Sequence, residues 1–272
     1  VLLFRRWRNP DNVSIAGGEP LIYPHIVDLV AFIHEQGIKP VILTNGIALK
    51  PDLLKELKKA GLSGFTIHVD SHQNRPQWKD KHEADFNALR QEYADMVHAE
   101  KGLYVIFNST VYPSTVSEIP DIVKWGQANR DRVQGLVFIT YRTAKLDEQV
   151  ASDAYDRQVD LGKLSYAKDH FDEKFVIADD VHAQVQQACP QYDAAGYLGG
   201  TVRHDSFKWV AGASIGTRDR VYGSIGKRTM EVAQVGHARG HVVLRAGVEV
   251  GLAARHGRRD ALVAAAQRPP GG

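Results

Sequence analysis

The 272-residue chain holds one cysteine, Cys189, and two methionines. A single thiol excludes a disulfide framework, and it excludes any all-cysteine metal site built from this chain alone. No run of about 18 apolar residues occurs, so no membrane-spanning helix is expected. Neither sign of charge dominates. The net charge of +2 argues against a dedicated nucleic-acid binder. The opening Val-Leu-Leu-Phe-Arg-Arg-Trp-Arg puts its arginines after its apolar residues, the reverse of a secretory signal, and a cytoplasmic location is the expectation. What is present is ordinary for a globular protein, with 43% hydrophobic and 24% charged residues. A chain of this length buries about 75% of the surface its unfolded state exposes, enough for a sizeable core.

Charge and composition change near the C-terminus. From Arg239 to Gly272 there are six arginines, no lysine, and only Glu249 and Asp260 as acids. This net +4 leaves −2 for residues 1–238. A basic arm for nucleic acid or membrane is one reading of residues 239–272. A disordered or out-of-frame tail, rich in Ala, Gly and Val, is the favoured one. Residues 1–8 invite the same suspicion, and a chain opening on Val1 leads us to expect a fragment.

Between these ends the pattern alternates strand and helix. Apolar β-rich runs occupy Asn12–Gly18, Lys39–Gly46, Gly64–Ser71, Gly102–Val111 and Gly135–Thr143. Helical spacing joins Ile26, Leu29, Val30 and Ile33, then Leu53, Leu54 and Leu57, then Phe86, Leu89, Tyr93 and Met96, then Ile119, Ile122 and Val123. Near-continuous apolar strands alternating with helices indicate a parallel sheet covered on both sides, either an open doubly wound sheet or a barrel-like (β/α) arrangement. In both, function gathers at the C-terminal ends of the strands. Those ends carry Gly17-Gly18-Glu19, Thr44-Asn45-Gly46, Asp70-Ser71, Asn108-Ser109-Thr110 and Arg142. Turn chemistry alone accounts for the glycines, asparagines and aspartate, and less well for a glutamate between two glycines and a proline.

Gly17-Gly18-Glu19-Pro20-Leu21, then Thr44-Asn45-Gly46, then Asp70-Ser71, on consecutive βα units, resembles the radical S-adenosylmethionine (radical SAM) family across roughly Asn12 to Thr143. The resemblance implies an α/β fold, a partial (β/α)6 TIM-like barrel, here without its first βα unit and with an irregular C-terminal extension. It also implies S-adenosylmethionine and a [4Fe–4S] cluster as cofactors, and a 5′-deoxyadenosyl radical that abstracts hydrogen from a substrate. By the same resemblance Gly17, Gly18, Glu19 and Pro20 line the methionine end of the cofactor, with Glu19 accepting from its ammonium group. By strand-end position, Asp70, Ser71 and Asn108 are candidates for the ribose hydroxyls and the carboxylate. Thr44 and Asn45 are candidates to hold loops or cofactor, and Arg142 to meet an anionic group. The expected partners are a small-molecule, lipid or peptide substrate and an electron donor such as a flavodoxin or ferredoxin.

One departure bears on activity. The family's Cys-x3-Cys-x2-Cys motif precedes the GGEP segment, whereas the 16 residues before Gly17 contain no cysteine. Thiolates hold such clusters, so the chain is expected to be a truncated, inactive copy. A non-catalytic (β/α) scaffold and a metal-free enzyme binding a phosphorylated metabolite remain alternatives. The expected division is a core over 9–145, a substrate or accessory region over 146–238, and the tail over 239–272.

Other residues carry less. Cys189 reads as a packed thiol rather than an auxiliary ligand. His68 alternates within a strand and reads as packed rather than catalytic. Trp78, Trp125 and Trp209 read as packing residues. Tyr197 and His204-Asp205 lie where such families build substrate pockets. Gly223–Thr229 resembles a phosphate-binding loop, but its spacing departs from Gly-x4-Gly-Lys-[Ser/Thr]. Asp172–Gln187 has helical segments, and Phe207–Gly216 with Arg220–Gly226 suits a hairpin or two short strands.

The tail offers little apolar area against the entropy of ordering it. Removing residues 238–272 is therefore expected to leave Tm within a few degrees of the full chain in a thermal melt.

Overall fold

The structure is a computed structural model that describes residues 1–8, 10–141, 152–154, 157–159, 176–199, 207–217, 220–228, 231–232 and 235. Its centre is a five-stranded sheet of β1 (Asn12–Ile15), β2 (Lys39–Thr44), β3 (Gly64–His68), β4 (Tyr104–Val111) and β5 (Gly135–Thr140), all parallel and in the order β1-β2-β3-β4-β5. Neighbours in sequence are neighbours in space. A doubly wound sheet reverses its strand order at a switch point, and this sheet does not reverse. Right-handed crossovers that all advance in one direction put every helix on the same face. The arrangement is an α/β wall of barrel type, as the sequence pattern and the GGEP resemblance lead one to expect.

The helices are α1 (Leu2–Arg8), α2 (Ile26–Glu35), α3 (Pro51–Lys59), α4 (Asn87–Ala99), α5 (Ile119–Ala128) and α6 (Ala178–Ala188). Each of α2 to α5 follows a strand and turns an apolar stripe inward. Ile26, Val30 and Ile33 of α2 and Leu54 and Leu57 of α3 are buried. From α4, Leu89, Tyr93, Ala94 and Val97 join them. These stripes meet Ile42, Phe65, Ile67, Val105 and Phe107 of the sheet in one core. A second cluster unites α6 with β4, α5 and β5 through Val181, Val111, Ile119, Val123 and Phe138, and Cys189 lies within it. The helix from the accessory region thus continues the helical layer of the core.

Strand alternation shows which face is which. On β4, Val105, Phe107, Ser109 and Val111 are buried, while Tyr104, Ile106, Asn108 and Thr110 are half-buried. On β3, Phe65 and Ile67 are fully buried, while Thr66 and His68 are not. Val137 and Ile139 of β5 are each 44% exposed. Among the described residues, then, one face of the sheet is sealed by helices and the other is open. Among the described residues this differs from the expectation of two covered faces, although Val41 of β2, on the same side as His68, is 5% exposed.

Other details differ from the pattern reading. β1 ends at Ile15, and Gly17 and Gly18 belong to the turn after it. Residues 2–8 form α1, tied to the end of α2 by a hydrogen bond from Arg5 to Gln36 of 3.0 Å. The later chain forms antiparallel pairs of short strands: β6 (Ser152–Ala154) with β7 (Arg157–Val159), β8 (Gly196–Gly199) with β9 (Phe207–Ala211), and β10 (Ala213–Gly216) with β11 (Val221–Ile225). The β10–β11 pair matches the hairpin expectation for Phe207–Gly226, while Phe207–Ala211 pairs with β8 instead. No helix among the described residues is long and apolar enough to cross a membrane.

Phe107 is 1% exposed and meets Trp125 of α5 edge to face at 5.5 Å. Phe107→Ala should cost about 3–5 kcal/mol, the range for truncating a buried aromatic, measured as a shift of the denaturant midpoint at unchanged slope.

Candidate functional site

The C-terminal ends of the strands are joined to one another by polar side chains. Glu19 begins the joining. It caps the 3-10 turn Pro20–Ile22, its Oε1 accepting from the Leu21 amide at 3.0 Å. The same oxygen accepts from Thr44 Oγ1 at 2.5 Å, and Oε2 accepts from the Asn45 amide at 2.8 Å. Glu19 therefore ties the end of β1 to the end of β2. A carboxylate has room for about four hydrogen bonds, so these three contacts leave one acceptor position, on Oε2. Thr44 in turn accepts from the Gly46 amide at 2.9 Å. Gly46 has φ 76°, and a Cβ there would stand 2.8 Å from the Tyr93 ring, so both backbone and neighbour require glycine. Gly17 takes φ 144° and, like Gly18, has open space where a Cβ would stand.

Arg75 carries the joining onward. It is buried, and its Nη2 donates to the backbone carbonyls of Asn45 and, at 3.0 Å, His68. That links β2 to β3. At the end of β3, Asp70 is 2% exposed and accepts through both oxygens. Oδ1 takes the His72 amide at 3.0 Å, capping the turn Ser71–Gln73. Oδ2 takes His68 Nε2 at 2.6 Å and the Thr110 amide of β4 at 3.2 Å. Thr110 Oγ1 also lies 3.2 Å from His68 Nε2.

Beneath this rim sits a buried ion pair. Arg90 of α4 is fully buried and bonds Glu83, which is 2% exposed. Arg90 also donates to the Val69 carbonyl at 2.8 Å and to Ser109 Oγ at 3.0 Å. Glu83 Oε2 accepts from the Ser71 amide at 2.7 Å. Burial pushes the Glu83 carboxyl above its ordinary pKa although Arg90 opposes it, and burial pushes Arg90 down although Glu83 opposes that. The guanidinium nonetheless keeps its proton. Burial would also raise Asp70, but the bond to His68, its charge, and the amides of Thr110 and His72 outweigh burial and hold its carboxyl below the ordinary value.

Of the residues singled out from sequence, the structure brings Glu19, Thr44 and Asn45 into one hydrogen-bonded group. Asp70 and Ser71 stand in the adjoining group around His68 and Glu83. Asn108 pairs across the sheet with His68, and its Oδ1 is buried with no partner among the described residues. Pro20 is buried behind Glu19. Thr44 spends its hydroxyl hydrogen on Glu19, Asn45 gives Glu19 its backbone amide while its Oδ1 accepts from the Ile47 amide at 2.8 Å, and Asp70 spends its own bonds on His68 and two amides. Arg142 lies outside the described residues, as do His204 and Asp205, and the side chain of Tyr197 does too. His68, read from sequence as packed, has a third of its side chain exposed and bonds Asp70 and Thr110. Cys189 is buried among apolar side chains, as read from sequence. Arg75, Glu83 and Arg90 were missed. Arg90 had a signal, since it falls four residues after Phe86 and three before Tyr93, inside an apolar stripe. Charge inside such a stripe is buried with a partner or misplaced.

The model of the Radical SAM superfamily matches residues 1–126, starting ahead of residue 9, where the sequence pattern opens the core. Molybdenum cofactor biosynthesis protein 1 of Bos taurus is 46% identical over 63 residues, 22% of this chain and 10% of that protein. GTP 3',8-cyclase of Helicobacter pylori is 29% identical over 138 residues, 49% of this chain and 42% of that protein. The chain thus spans less than half the length of either relative. A solved structure of SuiB from Streptococcus suis bound to S-adenosylmethionine superposes with a TM-score of 0.43 at 17% identity, covering 66% of this chain and 36% of that one.

Asp70 sets an acid dependence. Its folded-state pKa lies below the unfolded one, so the stability it contributes is full above the unfolded value and is lost as pH falls through the folded one. Glu83, shifted the other way, gains stability as pH falls. Asp70→Asn should cost about 1–3 kcal/mol at neutral pH. It should also flatten the fall in denaturant midpoint between about pH 5 and pH 3 relative to the unmodified chain. Equal acid slopes in both proteins would remove Asp70 from this role.

Proposed function

Residues 1–126 place this chain in the radical SAM superfamily, and from that premise we propose that its strand-end rim binds S-adenosylmethionine at Glu19. The observation that carries the reading is the state of that carboxylate. Three bonds from Leu21, Thr44 and Asn45 fix it, one acceptor position is left on Oε2, and Gly17 and Gly18 beside it have open space where side chains would stand. An ammonium group meeting a carboxylate already held in place forms a charge-assisted bond with little ordering cost. Thr44 and Asn45 act by orienting Glu19. Asn108, with its buried and unpartnered Oδ1, is the acceptor best suited to a ligand hydroxyl. Asp70 is committed to His68, which takes it out of direct contact with the cofactor.

The residues present do not fit the superfamily's [4Fe–4S] cluster. The chain's one cysteine is 3% exposed within an apolar cluster on the helical side of the sheet. Among the described residues no group of three or more His, Cys, Asp or Glu is arranged to hold a metal. In the superfamily the cluster supplies the electron that cleaves the cofactor. This chain by itself supplies cofactor binding and no thiolate set, so no radical step is assigned to it.

Calorimetric titration of the chain with S-adenosylmethionine tests the site. Glu19→Gln should weaken binding about tenfold or more, the loss of about 1.4 kcal/mol or more of charge-assisted bonding, with little change in Tm. Unchanged binding, or none to the unmodified chain at millimolar cofactor, would overturn the assignment. Reconstitution of the same chain with iron and sulfide should leave it far short of about four irons per chain.

A further inference from the structure

The rim contains one titratable pair that cofactor binding does not use. His68 lies on the open face of β3, opposite the core residues Phe65 and Ile67. Its Nε2 is 2.6 Å from Asp70 Oδ2 and 3.2 Å from Thr110 Oγ1. Its Nδ1 has no hydrogen-bond partner among the described residues, and a third of the side chain is exposed.

We propose that His68 is a base turned to the open face, fixed by Asp70 and Thr110 so that its Nδ1 accepts a proton, or a hydrogen bond, from an O–H or N–H group of a bound ligand. The argument is one of donor and acceptor counting. A carboxylate only accepts, so the nitrogen beside Asp70 carries the hydrogen. In the neutral ring the other nitrogen then holds the lone pair. Proton transfer to Nδ1 leaves the ligand as its conjugate base and the ring as an imidazolium, whose charge the adjacent carboxylate balances. Asp70 is itself locked by the amides of His72 and Thr110, so the ring inherits a fixed orientation.

Among the described residues the surrounding charges are few. Arg75 donates to the carbonyl of His68 itself. The Arg90–Glu83 pair from α4 and the turn before it lies behind Asp70 and balances within itself. Beyond the end of β2, Glu19 of the turn after β1 is held by the Asn45 amide. Across the sheet β4 contributes the neutral Asn108 and Thr110, and β5 contributes Val137. The inference stands on this geometry and not on cofactor binding at Glu19, so failure of either leaves the other in place.

Nitrogen NMR of the histidine-labelled chain reads the tautomer directly. The expected result at alkaline pH is a His68 ring protonated at Nε2 with a bare Nδ1, assigned by its loss in His68→Gln. Diethyl pyrocarbonate, an electrophile that takes the lone pair a proton would take, should modify His68 at Nδ1 at a rate comparable with the exposed His82 and His98. In Asp70→Asn the preference for the Nε2-protonated tautomer should weaken, read in the same nitrogen spectra. Should that variant fail to fold, the tautomer and the modification site in the unmodified chain still decide. An Nδ1-protonated ring, or a His68 inert to the reagent at pH values where His82 and His98 react, would overturn the proposal.

Discussion

The strand-end stretch from Val69 to Ser71 rests on one guanidinium with no access to water. Arg90 sits on a helix, yet its donors reach the last carbonyl region of β3, a serine of β4 and the carboxylate of Glu83. It is the fastener between the helical layer and the strand ends. Burying such a pair brings little net stability, because desolvation consumes most of the Coulomb gain. What it does supply is geometry. With Glu83 holding the Ser71 amide and Arg90 holding Val69, the stretch from Val69 to Ser71 has one conformation, and Asp70 in its middle inherits a single orientation.

The order of the fold was legible because apolar runs and helical stripes have different periods, and residues 12–143 keep them separate. The rim was legible in part. Glu19, Thr44, Asn45 and Asp70 announce themselves because polar residues directly after apolar strands land at one edge of a parallel sheet. The way they connect was not legible. Nothing in Thr44 or Asn45 says that their bonds go to Glu19 rather than to a ligand, since that depends on the register of β1 against β2. Arg75 lies in a polar loop with no period, so its burial has no signature in the chain.

Among the described residues the side of the sheet opposite the helices differs from the pattern reading for a physical reason. Val137 and Ile139 are the residues expected of a strand buried on both sides. Strand composition records what a strand is built to face, and only coordinates record what stands against it. The same limit applies to His68. Alternation assigns it to the face opposite Phe65 and Ile67, and whether that face is packed or open is a property of the assembled sheet.

Arg75 carries a consequence for how a ligand gets in. Its two carbonyl bonds pin the loop after β3 to the ends of both β2 and β3. Raising that loop would strip two backbone acceptors of their donor and expose a buried cation's partners one after another. The loop is therefore a fixed parapet and not a door. Among the described residues, the uncovered side of the sheet runs past Ile139 and Val137 toward Asn108, an apolar approach that the pinned loop does not close.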